Sequence, residues 1–163
     1  MIGEAATAEG KEPATDPGPY IHATALAIGE AGILIRGPSG AGKSRLALDL
    51  IAEARRRGLF GRLVGDDRIA IASRGGRLIA RGHPTIAGQI ESRGEGILDL
   101  NCEPAVVIRL VVDLGEGAAP ERLPAARAAA SLHGIALPRL CLEGPGPGRG
   151  DAVIEHLLRM GNG

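Results

Sequence analysis

The run Gly37-Pro38-Ser39-Gly40-Ala41-Gly42-Lys43-Ser44 has the residue types and spacing of a phosphate cradle. It satisfies G-x-x-x-x-G-K-[ST] at every fixed position. Its glycines let successive backbone N–H groups turn inward around a polyanion, and a helix starting at the end of the loop adds the positive end of its dipole. In such a loop Lys43 reaches the β- and γ-phosphates, and the Ser44 hydroxyl ligates Mg²⁺. The bland alternative is a Gly-rich turn that binds nothing. Against it stand the apolar run Ile33-Leu34-Ile35 leading in and the helical spacing of Leu46, Leu50 and Ile51 leading out. The chain reads as a binder of a nucleoside triphosphate or a close relative.

Phosphoryl transfer also needs a carboxylate near the metal and a base or positioned nucleophile. Two places compete. Asp113 ends the apolar run Ile108-Arg109-Leu110-Val111-Val112, the form of an ordinary Walker B. Asp66-Asp67 ends the run Leu63-Val64-Gly65. Side chains alternate along a strand, so only one Asp of that pair is expected to face the phosphates directly. Each candidate also reads as a plain turn or cap residue. The segment Glu91-Ser92-Arg93-Gly94-Glu95-Gly96 tips the balance towards the pair, because it sets acids and a base around glycines, as a loop close to a bound ion would. A solvated surface turn has the same composition. A lone His in an apolar strand, such as His22, is more often a hydrogen-bonded core residue than a catalytic one.

The elements that must hold these residues can be traced along the chain. Residues 21–28 and 33–36 predict strands joined by a turn at 29–32, and 43–57 predicts a helix stopped at Gly58. Strand character returns at 63–67 and 69–72, and Arg74-Gly75-Gly76-Arg77 reads as a hairpin turn into 78–80. Pro84 opens a short helix through Ile90. Residues 91–100 are polar and Gly-rich without simple periodicity. The run 106–114 is rich in β-branched residues and predicts a strand. An Ala-rich helix is expected at 123–132, a short strand at 139–142, a flexible loop at 144–148, and a last helix capped by Asp151 and ending at Met160. The Arg55-Arg56-Arg57 run reads as cations set against the end of a helix dipole rather than as a substrate patch. This order gives a mixed α/β domain over residues 20–163, preceded by a disordered tail over 1–19.

Composition removes several classes. Acids and bases balance at 19 each, and Tyr20 and Phe60 are the only aromatic residues. No excess charge and no stacking platform suggests nucleic-acid binding, and no apolar run is long enough to cross a bilayer. Cys102 and Cys141 lie far apart without a C-x-x-C, so they read as small hydrophobes in a reducing cytoplasm rather than as a zinc site.

Taken together, the motifs resemble the catalytic domain of HPr kinase/phosphorylase from about Tyr20 to Arg149. The resemblance is carried by His22 ahead of the phosphate loop and by the loop itself. It continues in Leu63-Val64-Gly65-Asp66-Asp67, in Glu91-Ser92-Arg93-Gly94-Glu95-Gly96-Ile97-Leu98-Asp99 against E-x-R-G-x-G-I-x-D, and in Glu121-Arg122-Leu123. It implies a single P-loop kinase domain with a mixed β-sheet, related to phosphoenolpyruvate carboxykinase. It also implies ATP- and Mg²⁺-dependent phosphorylation of a serine of the phosphocarrier HPr, with a reverse, phosphorolytic direction. Lys43 would hold the transferred phosphate; Ser44 and Glu91 would ligate Mg²⁺, with Asp66 supporting the metal site. Asp67 would take the serine proton, His22 would sit beside the carboxylates, and Arg122 would stabilise phosphoryl charge. A homo-oligomer, a hexamer in the family, is implied as well.

Three departures stand out. The chain resembles the short form, without the amino-terminal domain of long members. Gly65 stands where Ala is common in the family, a change expected to be harmless. Of the P-V-basic-x-G-R motif linked to the phosphorylase direction, only Gly148-Arg149 matches, which favours the kinase direction. Two other readings stay open: a P-loop small-molecule kinase or NTPase using Asp113 as its Walker B, and a non-catalytic ATP-sensing regulator.

Overall fold

The computed structural model describes residues 19–115, 129–143 and 146–161. The expected tail, apart from Pro19, lies outside the described residues, as does Arg122. The described elements are β1 (Tyr20–Ile21), β2 (Thr24–Ile28), β3 (Ala31–Arg36), α1 (Lys43–Arg56), β4 (Gly61–Asp66), β5 (Ile69–Arg74) and β6 (Arg77–Gly82). A 3-10 turn (Pro84–Ile86) precedes β7 (Gln89–Ser92) and β8 (Gly96–Asp99), and β9 (Ala105–Leu114), β10 (Ala129–Leu132), β11 (Ile135–Leu142) and α2 (Arg149–Gly161) complete the order.

The main sheet is mixed and runs β1-β5-β6-β9-β3-β2-β4. The long β9 branches it. Its first half pairs antiparallel with β6, and its second half pairs parallel with β11, while β3 lies parallel along the other edge. On one face, α1 and α2 pack Leu46, Leu50, Ile51, Val153 and Ile154 against Leu26, Ile33, Ile35, Leu110 and Val112. On the other face Ala25, Leu34, Val64, Ile69, Leu78, Ile108 and Val111 fill the inside of the curl. The buried core contains no aromatic side chain. The curl brings β4 back against the end of β6. A Cβ on Gly65 would lie 2.8 Å from the Cα of Gly82, and one on Gly82 would lie 2.5 Å from the carbonyl oxygen of Val64. Gly65 is therefore a close-approach glycine, packed against a second glycine at 82 that leaves no room for a Cβ.

Elements encoded by local signals form where expected. The buried stripe Leu46, Ala47, Leu50, Ile51 and Ala54 makes α1 amphipathic, and Gly58, at φ +72°, ends it in a left-handed turn. Gly75 and Gly76 supply the positive φ values that a two-residue hairpin turn needs. Elsewhere long-range pairing prevails. Residues 129–132 form β10 rather than the end of an Ala-rich helix, because they pair antiparallel with β11 across a turn at His133-Gly134. The remainder of that expected helix, 123–128, lies outside the described residues. The helix opened by Pro84 ends at Ile86, since Ile90 is needed in the core as part of β7. The Gly-rich 91–100 segment is mostly a hairpin, β7 paired with β8. The last helix starts before Asp151, whose carboxylate bonds Arg57 instead of capping it.

Candidate active site

The phosphate loop connects β3 to α1, and its turn is closed by the Ala41 N–H donating to the Pro38 carbonyl at 3.0 Å. Gly42 precedes the helix in a left-handed conformation, with φ +99°. Lys43 is buried and folds back into the loop, donating to the carbonyls of Gly37 at 2.8 Å and Pro38 at 3.1 Å. Burial pulls its ammonium below the ordinary lysine value, and the charges of Asp66 and Asp67 oppose that shift.

Both Asp66 and Asp67 line the same cleft as the loop. Alternation along β4 would allow only one, but the strand ends at Asp66 and Asp67 adopts φ +69°. That left-handed residue releases the second carboxylate from the pleat. Backbone conformations of this kind are costly for non-glycine residues and concentrate at functional sites. Asp66 is buried, and the Ser44 hydroxyl donates to it at 2.9 Å on Oδ2 and 3.1 Å on Oδ1. A second hydroxyl, Thr24, donates to Oδ1 at 2.6 Å. Asp67 is half-exposed, with its Oδ1 2.7 Å from Nδ1 of His22. The meeting follows from register. Thr24 opens β2 directly opposite Asp66 at the end of β4, so His22 and Asp67, just beyond the paired ends, come together.

The opposite wall is the β7–β8 hairpin. Ile90 anchors it in the core, and Glu91, Ser92 and Arg93 line the cleft, which has a volume of about 1260 Å³. A guanidinium nitrogen of Arg93 lies 3.4 Å from where a Cβ on Gly40 would sit, so this cation overhangs the phosphate loop. Gly146 to Asp151 close the far end. Arg57, at the end of α1, bonds Glu53, Asp151 and Glu155 and clamps that end to α2, which excludes it from a substrate patch. Its partner Glu53 is held below the ordinary carboxylate value by the Arg57 hydrogen bond.

His22, Ser39, Gly40, Gly42, Lys43, Ser44, Asp66, Asp67 and Glu91 therefore share one cleft. Gly37, Pro38 and Ala41, the other loop residues, do not line it, although Gly37 and Pro38 accept from Lys43 and Pro38 from the Ala41 N–H. Thr24 and Arg93 were missed as site residues. Arg93 lies inside the E-x-R-G segment, whereas nothing near Thr24 in sequence marks it. Ser44, Asp66 and Glu91 offer hard oxygen donors of the kind Mg²⁺ takes. Among the described residues no cluster of three or more His, Cys, Asp or Glu side chains is placed to hold a metal.

Asp113 is in a different situation. It lies opposite Arg36 across β3–β9, and Arg36 grips both oxygens, at 2.7 and 2.8 Å, while Arg139 of β11 takes Oδ2 as well. Burial raises its pKa, but the two arginines outweigh burial and hold the carboxyl below its ordinary value. Asp113 does not line the cleft, so its Walker B assignment is not supported. Cys102 and Cys141 are free, partly buried thiols. Among the described residues no helix is long and apolar enough to cross a membrane.

Comparison with known proteins agrees with this geometry. The family model for the HPr serine kinase C-terminal domain matches residues 16–154. HPr kinase/phosphorylase of Chlorobium phaeobacteroides (strain BS1) is 31% identical over 150 residues, covering 85% of this chain and 42% of that protein. The enzyme of the same name from Mycoplasma mycoides is 44% identical over 79 residues, 48% of this chain and 23% of its own length. The chain thus spans less than half the length of these curated relatives. The solved structure of the Hpr(Ser) kinase/phosphatase from Coxiella burnetii superposes with a TM-score of 0.69 at 27% identity, covering 86% of this chain and 97% of that one. With the phosphate loop, the paired aspartates and the E-x-R-G hairpin on one cleft, and with a family model matching most of the chain, this protein belongs to the HPr serine kinase C-terminal domain family.

Proposed function

We propose that the chain is an ATP- and Mg²⁺-dependent protein serine kinase whose substrate is HPr, the phosphocarrier of the sugar phosphotransferase system or its nitrogen-related branch. The observation that carries this reading is the half-exposed His22–Asp67 pair, 2.7 Å apart, at the open side of the cleft that holds the phosphate loop. A deep carboxylate would serve a small molecule. One at the rim can reach a serine on a protein surface.

In the forward reaction the serine oxygen attacks the γ-phosphorus, its proton passes to Asp67, and the bond from the γ-phosphorus to the β-γ bridging oxygen breaks to leave ADP. His22, donating from Nδ1, fixes the Asp67 carboxylate in the accepting orientation. Lys43 exchanges its loop carbonyls for phosphate oxygens, and Arg93 adds positive charge above Gly40. Ser44, Asp66 and Glu91 would hold Mg²⁺, which when bound offsets phosphate charge. Arg122 completes the cationic set in this reading. The kinase would work in the cytoplasm, where ATP and HPr occur, as a homo-oligomer.

Incubation with HPr, Mg²⁺ and labelled ATP, followed by mapping of the label, tests the proposal. Phosphoserine on HPr that disappears in Asp67→Asn supports it. ATP turnover without labelled HPr moves the reading to another P-loop enzyme, and tight nucleotide-dependent HPr binding without turnover moves it to a sensor.

A further inference from the structure

Thr24 has no place in the sequence motifs, yet it is the most deeply buried polar side chain at the site. It is 0% exposed, does not line the cleft, and directs its hydroxyl to Asp66 at 2.6 Å. Its neighbours Ala23 and Ala25 are also fully buried, so no solvent competes for that bond. A buried hydroxyl needs an acceptor, and a hydrogen bond to a charged acceptor is shorter and stronger than a neutral one. The β2–β4 register that places Thr24 opposite Asp66 fixes the acceptor's identity.

Asp66 is held by two hydroxyls of different standing. Ser44 sits at the cleft, and its oxygen is the group that a metal-nucleotide complex would recruit. A hydroxyl has one proton and two lone pairs, so a metal would draw on a lone pair of that oxygen while its proton stays directed at Asp66, and the ion would then set where Ser44, and the contact it makes, sits. Thr24 lies behind the cleft and keeps its contact. We infer that Thr24 is a positioning residue, the fixed hydroxyl that holds Asp66 in its metal-facing orientation once Ser44 is engaged. This inference rests on the kinase reading only in taking Mg²⁺ and a nucleotide as the occupants.

The test compares the full chain with Thr24→Val, Thr24→Ala and Thr24→Ser, using a fluorescent ATP analogue with EDTA and then across a Mg²⁺ titration. Outer-shell partners of metal ligands typically affect metal affinity by tenfold or more. Thr24→Val is therefore expected to raise the half-saturating Mg²⁺ about tenfold, to leave binding in EDTA unchanged, and to be rescued by Thr24→Ser. Thr24→Ala provides the same readout without the Val methyl groups, should Val fail to pack. In an Asp66→Asn background, Thr24→Val should add nothing to the Mg²⁺ requirement. An unchanged Mg²⁺ requirement in both hydroxyl-free variants, even with a lowered Tm, would overturn the inference, as would nucleotide binding by the native chain that ignores Mg²⁺. If the native chain binds Mg²⁺ and nucleotide but leaves HPr unlabelled, the kinase reading fails while the Thr24 comparison is still read.

Discussion

Asp66-Asp67 at the end of β4 and Asp113 at the end of β9 carry the same sequence signal, an apolar strand closing on an acid. Their environments are opposite. Asp113 is gripped by Arg36 and Arg139, is 13% exposed, does not line the cleft, and has its charge compensated by two guanidinium groups. Asp66 is held by neutral hydroxyls and Asp67 by an imidazole, so both keep lone pairs facing a cleft. A strand-end carboxylate is available for chemistry only when its neighbours leave its charge uncompensated. The neighbours, not the strand, decide which acid that is.

The sharpest way to break this comparison is to neutralise each acid in turn. Asp67→Asn should lower phosphoryl transfer to HPr by about 10²–10⁴-fold, the usual contribution of general-base catalysis. Nucleotide affinity and Tm should hold, because the side chain is half-exposed. Asp113→Asn should do the reverse. Breaking a buried pair from one side costs about 3–5 kcal/mol, and the partial exposure of both arginines reduces this to roughly 2 kcal/mol. In urea unfolding the loss should appear with little change in kcat for the folded fraction. Equal loss of kcat in the two variants would end the distinction.

Acid titration gives a smaller effect on the same contrast. The folded Asp113 pKa is depressed below the carboxylate value of 3.8, so the unfolded chain binds its proton first as pH falls. Its contribution is complete well above pH 3.8 and disappears as pH drops through the folded value. The stability difference between the native chain and Asp113→Asn should therefore be flat from neutral pH to about pH 5 and shrink only below pH 4. A difference that already shrinks at neutral pH would assign the coupling to another group.

What could be read in advance follows sequence distance. The phosphate loop, α1 with its Gly58 stop, and the Gly75-Gly76 turn are local, and each is encoded within a few residues. The choice between Asp66 and Asp113 is not local. Arg36 and Arg139 lie 77 and 26 residues from Asp113, and only the β3-β9-β11 pairing brings them together. Thr24 lies 42 residues from Asp66, and no spacing rule connects them. The Ala-rich stretch ending at Leu132 shows the same limit in backbone form, since pairing with β11 outweighs helix propensity at 129–132. The left-handed Asp67 was also hidden, because nothing in Gly65-Asp66-Asp67-Arg68 marks where the strand stops.

The smallest predicted effect acts on the strand beneath Asp66. A methyl group at Gly65 would meet the Cα of Gly82 and the Cδ1 of Ile69, both at 2.8 Å. The Ile69 terminus can swing aside, but the backbone of Gly82 can move only by opening the seam of the curled sheet. Overpacking of this kind costs about 1–3 kcal/mol, and the reduced freedom of the unfolded chain returns roughly 0.4–1 kcal/mol. Gly65→Ala should therefore lower stability by about 1 kcal/mol, or Tm by about 2–4 °C for a chain of this size. Strain at Gly65 shifts the residue that Thr24 and Ser44 hold, so half-saturating Mg²⁺ should rise along with the loss of Tm. Gly82→Ala meets the Val64 carbonyl at 2.5 Å and presses the same seam from the other side. If Gly82→Ala lowers Tm but spares the Mg²⁺ requirement, the seam serves stability alone and Asp66 is positioned only by its hydroxyl partners.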